Sequence, residues 1–85
     1  MLGMNEAIFL DDKQKVEVNE IISRFVRKTG VPVDVALMTA NYGEEYQGRH
    51  IGYRIDGKDF RKQPCAESWD GYKNRIKSYL FDIAM

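Results

Sequence analysis

The sequence predicts a small α+β domain with elements in the order helix, strand, strand, strand, helix. Two segments carry apolar residues at spacings of three and four, the period of an amphipathic helix, and the stretches between them alternate between apolar and polar residues, the period of a strand. An Asp-Gly pair between two extended stretches is typical of a tight hairpin turn. We expect residues 1–85 to form a single domain, with both helices packed on one face of a three-stranded antiparallel meander.

The first helix is predicted over about residues 12–29. Asp11 followed three residues later by Gln14 fits a capping box, which satisfies free N–H groups at a helix start. Gly30 can adopt the left-handed conformation that ends a helix, and Pro32 prevents its continuation. The residues that we expect on its apolar face are Val18, Ile21, Ile22 and Phe25.

Three strands are predicted, over about residues 33–40, 46–55 and 58–62. Asp56 and Gly57 join the last two, because a type I′ turn needs positive φ at both central residues. Alternation places one set of apolar residues on the sheet face that we expect to meet the helices. This set is Val33, Val35, Leu37, Ile51, Tyr53, Ile55 and Phe60.

The last helix is predicted over about residues 65–83. Pro64 suits its first turn, where the missing N–H costs nothing, and Glu67 and Asp70 suit its positive end. Its apolar stripe consists of Trp69, Tyr72, Ile76, Tyr79, Leu80 and Ile83.

Charge and cysteine content narrow the function classes. Thirteen basic and thirteen acidic residues give zero net charge, although the segment from Arg49 to Lys77 holds eight cations and four anions. The single Cys65 has no partner for an internal disulfide, and no leader of signal-peptide pattern is evident, so we expect a cytoplasmic protein. No apolar run approaches the ~18 residues of a membrane span, so we expect no membrane association.

The second sheet face is predicted to carry a weakly apolar patch around Met38, with Ala36 and Gly52 beside it. Residues 1–6 are expected to be frayed, and the apolar run 7–10 is either a short edge strand or a lead-in to the first helix. Three coverings of the patch stay open: the run 7–10, a second chain, or a binding partner.

Four further residues are candidate partner contacts. Phe81 and Met85 lie four residues apart on the last helix, away from its apolar stripe. They are either an anchor for a partner, or a residue at the core edge followed by a disordered terminus. Tyr42 and Tyr46 flank a polar loop, where aromatic side chains are typical contact residues unless they fold back on the core.

Little in the sequence points to catalysis. A Cys65–His50 pair has the residue types of a nucleophile and its base, but one follows the third strand and the other lies early in the second. One histidine and one cysteine fall short of a structural zinc site, and no phosphate-binding glycine loop is present. We therefore expect no enzyme activity, no cofactor and no metal.

Nucleic acid is the alternative ligand, through Arg49, Arg54, Arg61 and Lys62 on the second and third strands. The element order is similar to that of double-stranded-RNA-binding domains, which implies phosphate contacts at the start of the last helix. Those domains carry a basic cluster there, whereas this chain has the acidic Glu67 and Asp70.

The leading hypothesis from sequence is a non-catalytic protein-binding module, an accessory or inhibitor protein that docks on a protein partner and also self-associates as a homodimer. Its candidate contacts are Met38, Tyr42, Tyr46, Phe81 and Met85.

Overall fold

A computed structural model describes residues 8–39, 48–62 and 67–85. In chain order they form helix α1 (Asp12–Thr29), strands β1 (Val35–Thr39), β2 (His50–Ile55) and β3 (Lys58–Arg61), and helix α2 (Trp69–Ala84). This order and the antiparallel sheet confirm the predicted α+β class. The described residues divide into two compact units, a sheet unit of residues 8–10, 34–39 and 48–62 and a helical unit of residues 11–33 and 67–85.

The sheet unit is an antiparallel meander in the order β1-β2-β3. Asp56 and Gly57 have φ of 48° and 83°, which confirms the hairpin turn expected between β2 and β3. At the same end, the backbone N–H of Asp34 donates to the Asp56 carboxylate and the Asp56 N–H donates to the Asp34 carbonyl. These two bonds continue the β1–β2 ladder as far as the turn.

A bulge near the start of β2 changes the direction of one core side chain. Met38 pairs with Gly52 and Thr39 with His50, so Ile51 is an extra residue that faces no partner on β1. Buried Ile51 packs with Phe9 in a cluster that includes Ile8 and Met38. The prediction that Ile51 lies with Tyr53 and Ile55 is therefore wrong, because a bulge interrupts the alternation of period two on which it rests.

Residues 8–10 lie against the sheet. The N–H of Leu10 donates to the carbonyl of His50 at 2.8 Å, and the Nζ of Lys62 donates to the carbonyl of Phe9 at 2.9 Å. The guanidinium of Arg49 lies 4.0 Å from the centre of the Phe9 ring. Among the open coverings of the Met38 patch, the structure thus places Ile8 and Phe9 on Met38 itself.

Strand β1 contributes less to the core than its pattern predicts. Val35 pairs with Ile55 and Leu37 pairs with Tyr53 across the sheet, yet Val35 is 39% exposed and Leu37 is 40% exposed. The prediction that they belong to the core is wrong for these two residues. Alternation identifies the face of a strand but not how far burial extends towards the edge of a sheet, and β1 is a terminal strand of the sheet that the described residues form.

In the helical unit, capping hydrogen bonds define both ends of α1. The Asp11 carboxylate accepts from the N–H of Gln14 at 2.7 Å, and the Gln14 side chain accepts from the Asp11 N–H at 3.1 Å, as the capping box predicts. Gly30 takes the left-handed conformation at φ 73° and its N–H donates to the carbonyl of Val26. These contacts give α1 the limits expected from sequence.

Helix α2 begins later than predicted. Its N-cap is Ser68, whose hydroxyl accepts from the N–H of Gly71 at 3.0 Å, and Trp69 is its first residue. The predicted start at about residue 65, which rested on Pro64, is not the start of α2, because a serine hydroxyl supplies a better cap than proline geometry alone. The predicted stripe is confirmed at Tyr72, Ile76 and Leu80, which are buried, whereas Trp69, Tyr79 and Ile83 are half-buried.

Several predictions fall on residues outside the described ranges. They concern the frayed start in residues 1–6, the loop 40–47 with the beginning of the second strand, and residues 63–66.

Candidate partner-binding groove

A polar contact joins the first halves of α1 and α2. The Glu17 carboxylate accepts hydrogen bonds from Lys73 Nζ at 2.8 Å and from Trp69 Nε1 at 3.3 Å. The bond from Lys73, followed by the bond from Trp69, lowers the pKa of Glu17. The same carboxylate raises the pKa of Lys73. The charged forms of both groups are therefore favoured where the two helices meet.

Further contacts stiffen the start of α2. The Trp69 ring stacks on buried Tyr72, with 5.3 Å between ring centres and 16° between planes. Arg75 donates to both carboxylate oxygens of Glu67, through Nη2 at 2.6 Å and Nε at 2.9 Å, and its guanidinium lies 5.4 Å from the Tyr72 ring centre. This forked pair ties the residue before the N-cap to the second turn of the helix.

The second halves of the same helices line a concavity of about 370 Å³, which we call the helix groove. Because the first halves meet through Glu17 and Lys73 and the second halves meet here, α1 and α2 run in the same direction. Leu80 is buried, whereas Phe81 is 72% exposed. The apolar lining consists of Ile21, Phe25, Leu80, Phe81 and Ala84.

The remaining lining of the helix groove is cationic. Arg24 and Lys28 lie one turn apart on α1, and Lys77 lies one turn before Phe81 on α2. Thr29 also lines the groove, with an uncharged polar side chain. Among the described residues, no acidic side chain lines the groove. Within residues 8–39, 48–62 and 67–85, none of the three cations forms an ion pair. An apolar floor between unpaired cations can accept a ligand that is both apolar and anionic.

The predicted contact residues on α2 have different positions. Phe81 lines the helix groove, beside buried Leu80. Met85 is the C-cap residue of α2, is fully exposed, and does not line the groove. Their roles as partner contacts stay predictions.

The predicted contacts elsewhere do not join Phe81 in one site. Met38 is half-buried in the sheet unit, against Phe9 and Ile51. Tyr42 and Tyr46 lie in residues 40–47, outside the described ranges.

Three of the four cations of the nucleic-acid hypothesis have partners inside the sheet unit. Arg54 Nε donates to the Asp59 carboxylate at 2.7 Å. Arg49 lies over the Phe9 ring, Lys62 donates to the Phe9 carbonyl, and Arg61 also has an intramolecular contact. Phosphate groups would compete with these contacts for the same side chains, and nucleic-acid binding stays a prediction.

The residue types of catalysis and metal binding are not assembled in the part of the chain that the structure describes. His50 is half-buried at the start of β2, and Cys65 lies in residues 63–66, outside that part. No group of three or more His, Cys, Asp or Glu side chains is placed to hold a metal ion among the described residues. Neither α1 nor α2 is both long and apolar enough to cross a bilayer.

Sequence reasoning missed the cationic part of the helix groove. Arg24 and Lys28 repeat at a spacing of four, as do Ile21 and Phe25 on the adjacent face of α1. A helical projection shows this border between apolar and basic residues. That α2 adds Lys77 to the same groove depends on the pairing of two segments remote in sequence, which periodicity does not report.

Searches of protein-family models, of curated proteins and of solved structures each found no match to this chain.

Proposed function

We propose that this chain is a non-catalytic protein-binding module, an accessory or inhibitor protein that acts by docking on another protein. One observation carries the proposal, the 72% exposure of Phe81 on the wall of an apolar groove. Aromatic side chains supply large contact areas with few torsions to immobilise, and they dominate many protein interfaces. The single cysteine of the chain supports a reducing compartment, the cytoplasm, as its place of action.

Burial of Phe81 by a partner would contribute a favourable free energy of binding. Moving an aromatic side chain from water into an apolar contact is worth roughly 2 kcal/mol. Leu80, Ile21 and Phe25 surround the place where a partner side chain would lie, so one inserted residue contacts several apolar groups at once. A central apolar anchor with a charged border is the usual arrangement of a docking surface.

Site-specific photo-cross-linking tests the proposal. A photoreactive amino acid replaces Phe81 in one variant and Ser78 in a matched control, since Ser78 is exposed on α2 but does not line the groove. We expect irradiation of cells that make the protein to give an adduct of defined mass at position 81 and none at position 78. Equal adduct patterns at both positions, or none at either, would overturn the proposal.

A pair of charge substitutions checks that the adduct reports binding. Phe81→Asp should abolish co-purification of the cross-linked partner, because a carboxylate in the apolar contact costs more than the lost aromatic area alone. Val16→Asp is the control, because Val16 is 53% exposed on α1 and lies outside the groove. Circular dichroism should show both variants folded, as both side chains face water.

Self-association is the second part of the proposal, and strand β1 supports it. β1 is a terminal strand of the sheet, and its residues 35–39 include no charge, whereas β3 carries Lys58, Asp59 and Arg61. Uncharged edge strands with exposed apolar side chains favour pairing with a second strand. Val35 and Leu37 are the large exposed apolar residues on β1.

A further inference from the structure

We infer that the helix groove binds an acidic amphipathic helix of the partner protein. The apolar stripe of that helix lies on Leu80 and Phe81, and its flanking carboxylates face Arg24 and Lys77. The inference rests on the proposed function and adds the chemistry of the partner.

The shape of the groove favours a macromolecular segment over a small molecule. Of the nine described residues that line it, six are exposed, and a small ligand there would keep much of its surface in water. A volume of about 370 Å³ lies at the lower end of the roughly 300–1,000 Å³ of ligand pockets. An open trench between two helices suits the side chains of one helical face, which enter at spacings of three and four.

The charges on the two walls select an acidic partner. Lys28 lies in the last turn of α1, where the negative end of the helix dipole stabilises a cation, so its presence is explained without a partner. Arg24 and Lys77 lie more than one turn before their helix ends, where the dipole has faded, and neither forms an ion pair with a described residue. They stand on opposite walls, so they match carboxylates on both borders of an apolar stripe.

The same observations disfavour the other occupants. A second copy of the groove would bring three cations towards three cations, which is repulsive. A membrane surface accepts apolar side chains that protrude from a protein. Here the buried Leu80 lies at the base of a concavity, so only a side chain inserted from outside can contact it.

Selection from a displayed helix library tests the inference. Each member carries a fixed leucine stripe at helical spacing, and the positions on both borders are randomised among Glu, Lys, Gln and Ser. We expect selection on the intact protein to enrich Glu on both borders of the stripe. Enrichment of Lys, enrichment without charge preference, or no enrichment at all would overturn the inference.

Charge-reversal substitutions identify the cations that contact the acidic helix. Replacing attraction by repulsion at one exposed pair weakens binding about fivefold, so we expect this loss for Arg24→Glu and for Lys77→Glu with the selected acidic helix. Arg27→Glu is the matched control, because Arg27 is exposed on α1 but does not line the groove, and it should leave affinity within about twofold. A helix with Lys at the facing border position should recover affinity for Arg24→Glu. Equal losses for Arg24→Glu and Arg27→Glu would overturn the inference.

Two further readouts separate this inference from the proposed function. If position 81 cross-links to a protein but no acidic helix binds, the docking function stands and the acidic partner is wrong. If vesicles of phosphatidylserine sediment the protein, Phe81→Asp abolishes that sedimentation, and no helix binds, the groove is a lipid-surface site and both are wrong.

Discussion

At the scale of single residues, Gly52 is a position where the backbone of the neighbouring strand leaves no room for a side chain. Gly52 is buried in β2 opposite Arg61 of β3. A Cβ placed there would collide with the carbonyl oxygen of Phe60 and lie 2.8 Å from the Cα of Arg61, both parts of the backbone. Because backbone atoms cannot rotate away as a side chain does, any larger residue must separate the two strands.

Gly52→Ala should therefore lower the free energy of unfolding by roughly 3 kcal/mol, the upper end of the cost of overpacking. Gly71→Ala is the control. A Cβ at Gly71 would lie at 3.4 Å from Glu67 Cβ and Ser68 Oγ, an ordinary contact, and alanine is the better helix former by roughly 0.5–1 kcal/mol. Urea denaturation of both variants measures the difference. A Gly52→Ala variant as stable as the wild type would show that β2 and β3 are not this close.

At the scale of elements, the contact between α1 and α2 makes the stability of the helical unit depend on pH. The lowered pKa of Glu17 means that its carboxylate stabilises the folded state above the ordinary value of 4.5, and that this contribution is lost as the pH falls through the lowered pKa. Because the pKa of Lys73 is raised, its ammonium group stabilises the folded state below the ordinary value of 10.5. This contribution is lost as the pH rises through the raised pKa. The pair thus contributes most between these two limits.

Glu17→Gln tests this dependence. Glutamine keeps a carbonyl oxygen for Trp69 but cannot attract Lys73 by charge, so we expect a lower melting temperature than wild type near neutral pH. The two melting temperatures should converge as the pH falls below the lowered pKa of Glu17. Glu20→Gln, at an exposed residue of α1 without an ion pair to a described residue, is the control and should follow the wild type. Parallel curves for wild type and Glu17→Gln would contradict the assignment.

At the scale of the whole molecule, balanced charge leaves association to local surfaces. Thirteen cations and thirteen anions give zero net charge, so no overall repulsion keeps copies of the chain apart. Two surfaces compete for contacts: the helix groove, whose cations repel a second groove, and β1, whose residues carry no charge. We therefore expect self-association and partner binding to use different surfaces.

The solution mass checks this division. We expect light scattering at two salt concentrations to show a dimer that Leu37→Lys dissociates, because a charge on an edge strand opposes strand pairing. Phe81→Asp should leave that mass unchanged. A dimer that dissociates only with Phe81→Asp would place self-association in the groove, and the 9.9 kDa mass of a single chain under all conditions would remove self-association from the proposal.

The sequence by itself determined the type and most of the limits of the elements. The Asp11 capping box, the left-handed Gly30, the Asp56-Gly57 turn and the buried face of α2 all depend on interactions within a few residues, which local patterns report. Ser68 was missed as a cap because Pro64 offered a competing signal four residues earlier.

Only the tertiary structure decided the rest. The bulge at Ile51 depends on how β1 and β2 pair, and the exposure of Val35 and Leu37 depends on what packs against β1. The alternation of residues along one strand reports neither. Phe81 was identified as a candidate contact from its place on α2, but the groove beside it also needs Arg24 and Phe25 from α1. A groove built from two distant segments exists only once they pair, and that pairing is a property of the folded chain.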